Sequence, residues 1–529
     1  MHSRLYNHIK NLLLPCIGFS VATGFLSAIV ITVFKILTEL VIHLSANIYG
    51  SVKSNPIWIP ALIIGAAAIG LVSSFILSIS HSCRGGGIPT SVAAIRGIVS
   101  FNWIKSIFLL PFSALLTFFC GLPLGTEGPC VQMGTAIGDG VVQCLGSEKN
   151  KNWRRYIMTG GASAGFSIAT ASPITAILFS MEELHKRFSP LLITVSSVSI
   201  ITAQVTMQIL ASFGIGTLKL FNIPEVATIS PKFLFAPLLI GLVCGGCAIL
   251  FNRFYNVINK IIHAALKKVS IKIVFPVLFA SVAALGLLLF DALGTGHGLS
   301  ENLLLGRSKW YILLIILIVR MIIMMISNTA GVTGGVFLPT LAIGAIIASL
   351  CADAMIAFGW IEPYHYTLIV ALGIASFWGA TSHVPITACV FAIEAMVGIN
   401  NILSVIIATT VAFLIVGLSN VEDFTDTVIE SRIRAISKGK NPTVIEVPLT
   451  VVQDAFVSGK ELRDILWPNS CRIVSVDRAP ANRGKAEIDT GDVITVHYKT
   501  YDPEETAKEL TSMVGKQAPE IEDMMNPQH

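Results

Sequence analysis

Charged residues are missing from one long stretch of this chain after another. Uncharged, mostly apolar runs cover 11–34, 56–83, 106–126, 156–181, 188–218, 233–252, 321–352, 363–393 and 395–421, with shorter ones at 274–290 and 310–319. A helix needs about 20 apolar residues to cross a bilayer, so the pattern predicts a bundle of membrane helices. The first run follows Arg4 and Lys10. It is longer than the ~7–15 residues of a signal-peptide core, and it reads as a retained first membrane helix with its N-terminus in the cytoplasm. Many runs are interrupted by Gly, Pro and Ser. Non-helical backbone at membrane depth is tolerated only where protein buries it or where it lines a cavity, so the interruptions are the places to look for function.

The interruptions repeat. Pro173-Ile174-Thr175-Ala176 is followed by Phe179 and Glu182, and Pro385-Ile386-Thr387-Ala388 by Phe391 and Glu394 at the same spacing. Gly125, Gly128, Ala136, Ile137 and Gly138 recur as Gly331, Gly334, Ala342, Ile343 and Gly344, and Gly85 and Gly87 as Gly296 and Gly298. Three blocks in one order, offset by 206 to 212 residues, argue for internal duplication. Paired Gly/Pro-interrupted segments in two halves point to a transporter's binding site.

Composition agrees. Hydrophobic residues make up 53% of the 529, charged residues only 13%, and the mean hydropathy is +0.76. An ordinary soluble domain has about 25% charged residues. A net charge of +5 gives no case for a nucleic-acid partner. Ten cysteines lie mostly inside apolar runs and read as small buried hydrophobes rather than disulfides. Cys244-Gly245-Gly246-Cys247 sits in such a run and reads as close helix packing, not metal or redox chemistry. Neither a cofactor nor a catalytic nucleophile–base pairing is expected, so the chain does not read as an enzyme.

After about residue 422 the character changes to charged and mixed. Arg432, Arg434, Lys438 and Lys440 just beyond the last run place that end in the cytoplasm. The remainder alternates like a small α/β unit: strands at 443–452, 471–476 and 493–498, a turn at Asp492, a short helix at 460–466 and a closing helix at 503–514.

Three glycine-rich breaks carry the chemistry: Gly85-Gly86-Gly87-Ile88-Pro89, Gly125-Thr126-Glu127-Gly128-Pro129 and Gly335-Val336-Phe337-Leu338-Pro339. Glycine lets backbone approach a ligand, and proline suits the first turn of a helix. Each break therefore reads as a helix N-terminus, which offers free N–H donors and about half a positive charge. Converging ends would hold an anion without a full cationic charge. The plainer alternative is that these are packing glycines, common in membrane helices. Glu127 lies between two long apolar runs with no basic residue near it in sequence. A charged side chain at mid-membrane costs at least ~2.5–3.5 kcal/mol, so a carboxyl there suits a group that takes up and releases protons; the alternative is a helix-capping glutamate. Glu182 and Glu183 end the run that passes Pro173, before His185, Lys186 and Arg187, and could be only the solvated end of a helix. Arg320, amid Ile and Met, reads as a carbonyl-capping or snorkelling residue.

In these motifs the chain resembles the CLC chloride channel and transporter family, whose loops of the type GSGIP, GxEGP and GxFxP sit at helix N-termini around the anion pathway. The likeness spans about residues 10–435. It implies an all-α membrane domain over 1–435 built from two inverted halves (about 10–218 and 230–435), in the cell membrane of a prokaryote, with both termini cytoplasmic. It further implies a homodimer with one pathway per subunit. Glu127 matches the family's external gating glutamate and Glu183 the internal proton-transfer glutamate of its exchangers. The anion would be met by Gly85, Gly86, Gly87, Ile88 and Pro89, by Gly125, Thr126, Gly128 and Pro129, and by Gly335, Val336 and Phe337. Three departures stand out. Gly86 replaces the family's serine, an anion ligand at the inner gate. The family's tyrosine near the end of the last membrane helix is also missing, since no tyrosine occurs between Tyr366 and Tyr498, and the resemblance implies Thr425 at its position. Thr126 stands where Arg or Lys is common. The tail, about 440–520, resembles the C-terminal lobe of bacterial potassium-channel regulators (TrkA-C type), which implies a small regulatory ligand.

The expected function is thus transport of chloride or a similar small anion in exchange for protons. A passive anion channel of the same architecture is the alternative, favoured by the missing inner-gate hydroxyls. A cation transporter or membrane sensor, suggested by the tail, is the third; no TVGYG-like filter supports it.

Overall fold

The computed structural model describes residues 14–99, 102–146, 152–429, 443–453, 455–468, 471–476, 479–480, 487–500 and 503–514. The flanking charges Arg4, Lys10, Arg432, Arg434, Lys438 and Lys440 lie outside the described residues.

The first half of the membrane domain contains α1 (Leu14–Ser54), α2 (Ile59–Ile79), α3 (Gly87–Ile95), α4 (Trp103–Phe119), α5 (Glu127–Leu145), α6 (Arg154–Thr170), α7 (Pro173–Phe179) and α8 (Pro190–Ser212). The second contains α9 (Phe235–Leu266), α10 (Ile271–Leu288), α11 (His297–Leu305), α12 (Trp310–Ala330), α13 (Phe337–Ala357), α14 (Tyr366–Ser382), α15 (Pro385–Ala392) and α16 (Ile402–Gly417). Both α7 and α15 continue into a short π-helical turn, Ser180–His185 and Ile393–Val397. Among the described residues, eight helices are long and apolar enough to cross a membrane.

Several expected single spans are two helices. The run 156–181 breaks where Ala171 turns left-handed at φ 54° ahead of Pro173, and the run 363–393 breaks at His383, φ 57°, ahead of Pro385. A residue before proline is pushed out of the α region, so the duplicated Pro-Ile-Thr-Ala motif ends one helix and starts the next. Conversely, 310–319 and 321–352 redistribute. Residues through Ala330 belong to α12, and the loop 331–336 leads into α13. Arg320 is fully buried and caps the carbonyls of Ala292, Leu293 and Gly294, the capping role its setting suggested.

The halves are related by an approximate twofold. Gly125 and Gly335 pair as an antiparallel bridge. The Glu394 carboxylate accepts from the Ile174 and Thr175 amides at 3.0 and 2.9 Å and from the Thr175 hydroxyl. Glu182 does the same for Ile386, Thr387 and the Thr387 hydroxyl. Reciprocal contacts of this kind are the mark of a twofold rather than of a translation. Each half thereby caps the other's short helix. At the centre, α5 packs on α6 and α13 on α14, buried on all sides. A Cβ on Gly134 would stand 2.0 Å from the Gly161 carbonyl oxygen, so the two backbones touch, as small residues permit in membranes. Helices α1, α2, α9 and α10, which carry many exposed large apolar side chains, wrap this core.

The C-terminal domain has a four-stranded antiparallel sheet of order β1-β6-β3-β4, formed by β1 (Thr443–Thr450), β3 (Cys471–Val476), β4 (Ala479–Pro480) and β6 (Val493–Thr500). A two-stranded pair joins β2 (Lys460–Glu461) to β5 (Glu487–Ile488), and α17 (Pro503–Val514) closes the domain. Its core includes Val447, Leu449, Ile494, Val496, Leu510 and Val514. The helix expected at 460–466 is not there. That segment is β2, a 3₁₀ turn at Leu462–Asp464 and extended Ile465. Tertiary contact overrides local propensity here. The Tyr156 hydroxyl donates to Asp464 O and accepts from Leu466 N, while Arg155 and Arg187 donate to the Trp467 and Ile465 carbonyls. Leu466 and Phe456 pack with Trp153 and Tyr156. The domain is thus docked on the start of α6 and on the turn after α7.

Candidate functional site

The three glycine breaks meet. Gly125 N donates to Gly335 O at 2.6 Å, Gly335 N to Gly125 O at 2.7 Å, and Gly85 N to Gly331 O at 3.0 Å. A Cβ on Gly87 would stand 1.8 Å from the Gly128 carbonyl oxygen and 3.0 Å from Pro129 N. A Cβ on Gly128 would stand 2.7 Å from Gly335 Cα. Only glycine allows these chains to cross so closely. As a result α3, α5 and α13 all start at one place. Each carries proline in its third position, Pro89, Pro129 and Pro339, where the missing N–H had no intrahelical acceptor anyway. The remaining first-turn amides of three helices face one small region of the membrane core.

Glu127 is the first residue of α5 and is fully buried. Its Oε1 accepts from the Thr126 hydroxyl at 3.0 Å, and Oε2 lies against Gly125. The amides of Glu127 itself and of Leu338 face the carboxylate, so it sits on the N-termini of both α5 and α13. Lys35 on α1, which donates to Ile168 O at 3.1 Å, acts on it through its attractive field. No basic residue lies near Glu127 in sequence; folding brings Lys35 to it from about 90 positions away.

On the other side of the crossing lies a cavity of about 30 Å³, lined among others by Ile88, Pro89, Val336, Phe337, Glu183 and Thr425. One water needs about 10–15 Å³ measured this way, so the space fits a single halide-sized occupant. Phe337 is locked edge-on against Phe166, Trp378 and Phe391 at 5.3, 4.7 and 5.5 Å, which fixes the tip of α13. Glu183 is 5% exposed, and its Oε1 accepts from the Thr425 hydroxyl. The π turn places it: one extra residue per turn rotates Glu183 inward while Glu182 faces α15. Just beyond, Lys186 is ion-paired to Asp423 and Asp426, and Arg96 lies 3.8 Å from Asp426.

The structure therefore assembles Ile88, Pro89, Val336, Phe337, Glu183 and Thr425 around one cavity. Gly85, Gly86, Gly87, Gly125, Gly128, Pro129 and Gly335 do not line that cavity but form the backbone crossing next to it, where Glu127 and Thr126 also lie. Sequence reasoning missed Lys35, a lone charge just after the first apolar run, and Trp378, Thr381 and Ser382, which also line the cavity from α14.

Two sets of broken helices, related by a twofold and pointing amide-bearing tips at a buried ion-sized space, define a membrane ion channel or transporter. The family described as "Voltage gated chloride channel" matches residues 64–417, and the chain belongs to that family, CLC. It is 28% identical over 369 residues to the H(+)/Cl(-) exchange transporter ClcA of Vibrio campbellii, covering 69% of this chain and 77% of that protein. It is 27% identical over 408 residues to ClcA of Vibrio cholerae serotype O1, covering 74% and 84%. Its fold is that of a slow cyanobacterial Cl-/H+ antiporter, with a TM-score of 0.72 at 19% identity over 79% of this chain and 98% of the other. A CLC-type fluoride/proton antiporter has a TM-score of 0.64 at 20% identity, over 76% and 95%.

Proposed function

We propose that the protein exchanges chloride, or a similar small anion, for protons across a bacterial cell membrane. The observation that carries the reading is the pair of buried carboxyls, Glu127 and Glu183, on either side of the junction of three helix N-termini. The likeness to ClcA supports it. An anion stripped of water is held by the neutral amide tips of α3, α5 and α13, strongly enough to enter and weakly enough to leave. Glu127 competes for the same amides while charged and yields the place when protonated, which makes it the outer gate. Glu183, bonded to Thr425 at the cavity's far end, passes protons to and from the cytoplasm.

In this reading residues 1–435 form the transport domain, with anion contacts at Gly85–Pro89, Gly125, Thr126, Gly128, Pro129, Gly335, Val336, Phe337 and Thr425. Both termini are cytoplasmic, lipid surrounds the domain, and two copies form a homodimer with one pathway each. Residues 440–520 form a TrkA-C-like regulatory domain that takes a small ligand.

A passive anion channel is the second reading. Position 86 carries no hydroxyl, and the Thr425 hydroxyl donates to Glu183. Proteoliposomes with chloride efflux and external pH recorded together decide between them. Exchange predicts chloride efflux coupled to proton uptake, with Glu183→Gln abolishing proton movement and sparing chloride. Wild-type chloride efflux that never moves protons rejects exchange.

A further inference from the structure

One buried polar side chain near the junction is not used by the reading above. Asn328, two residues before the end of α12, is 7% exposed. Its main-chain oxygen is taken by Gly331 N, and its side-chain Oδ1 accepts from the Tyr255 hydroxyl at 3.0 Å. Tyr255 is itself buried, and its ring packs against Phe424, which lines the cavity. The carboxamide is therefore held by its oxygen, and its Nδ2 is turned the other way. Among the described residues Nδ2 donates to no group. It stands 3.3 Å from the point a Cβ on Gly86 would occupy, and Gly86 is the N-cap of α3, with no side chain of its own to cap it.

A donor of a 7%-exposed side chain that meets no acceptor in the protein is free to bind whatever enters beside it, and this one is aimed at the start of a helix whose own first amides also lack partners. The donors share one complement: an anion. We infer that Asn328, oriented by Tyr255, is an anion ligand at the N-terminus of α3, and that the absence of a side chain at Gly86 leaves room for it. A carboxamide suits this place because it donates without a net charge, so it selects for an anion without trapping it. Tyr255 is then a positioning residue, and Phe424 joins the pair to the cavity that holds Glu183 and Thr425. This inference rests on the proposed anion transport.

Chloride binding to the purified full-length protein tests it, by calorimetry and by the rise in thermal midpoint that chloride causes. Asn328→Ala is expected to weaken chloride binding about tenfold, the size of one hydrogen bond to a charged group. Its chloride-free midpoint should move far less than the chloride-induced rise. Tyr255→Phe should weaken binding in the same direction by less. Gly86→Ala puts a methyl 3.3 Å from Nδ2, so it should weaken binding in the wild-type background and have little further effect beside Asn328→Ala. A merely structural asparagine would not show that non-additivity. Unchanged chloride affinity in Asn328→Ala overturns the inference and leaves proton-coupled transport standing. Should that variant not fold, unchanged affinity in Tyr255→Phe overturns it equally. A wild-type protein that does not bind chloride overturns both.

Discussion

Replacing Glu182 with alanine is expected to loosen the contact between the two halves. Its carboxylate accepts from Ile386 N at 3.2 Å, Thr387 N at 2.7 Å and the Thr387 hydroxyl at 2.6 Å. These amides open α15 at Pro385 and have no intrahelical acceptor. Losing an N-cap costs about 1 kcal/mol, and a carboxylate at a helix N-terminus adds up to about another 1 kcal/mol where water is partly excluded. Glu182 is half-buried and one contact faces the outside, so the sum stays at about 2 kcal/mol rather than the full value of three charged bonds. A membrane protein of this size unfolds irreversibly in detergent, so the readout is the temperature at which half the protein remains monodisperse. A drop of about 2–5 °C is expected for Glu182→Ala, extrapolating the inverse scaling with chain length. Glu182→Gln should drop less, because its amide oxygen still accepts. Glu394→Ala should match Glu182→Ala, since it makes the mirror-image bonds at Ile174 and Thr175. The turn that bears Glu182 also bears Glu183, so proton transport should fall in Glu182→Ala even where the folded fraction is unchanged. An alanine variant with the wild-type midpoint would show that the reciprocal caps do not join the halves.

Two further outcomes are expected. Gly87→Ala drives a methyl to 1.8 Å from a backbone oxygen of Gly128, which cannot yield cheaply. The two helix starts must part, and anion efflux from proteoliposomes should fall by at least tenfold; near-normal efflux would refute the crossing. The docked C-terminal domain should bind more weakly as pH falls. Burial holds the Lys460 amine, set against Phe456 and Trp153, well below the usual lysine value. The unfolded chain keeps that proton up to about pH 10.5 and the docked domain releases it earlier, so unfolding takes up a proton between the two values and stability rises with pH there. Protease protection of the domain should increase with pH over that window, and Lys460→Met should flatten the dependence.

Much of the molecule was legible in the order of residues. The apolar runs declare a membrane bundle, because hydrocarbon accepts nothing else of that length. The Pro-Ile-Thr-Ala repeat declares a duplication, because spacing survives where composition drifts. The three Gly-to-Pro breaks declare helix starts, because only those residues suit a close turn followed by a first helical turn. Glu127 declares itself as a lone carboxyl between apolar runs. Other features belonged to the tertiary structure alone. That Gly87 lies on Gly128 and Gly125 on Gly335 depends on pairings across 40 to 210 residues, which no local pattern encodes. Lys35 reaches Glu127, and Asn328 reaches Gly86, by the same long-range packing. Glu182 and Glu183 are neighbours of one residue type, and a single π turn sends one to the partner half and the other to the cavity. The segment 460–466 has a helix-like composition but serves as a docking strip, because the carbonyls of Asp464, Ile465 and the adjoining Trp467 accept from Tyr156, Arg187 and Arg155. Periodicity reports which faces are buried and where backbone must bend. Which buried groups meet is decided by the packing of whole helices, where a shift of one side chain's width changes every partner.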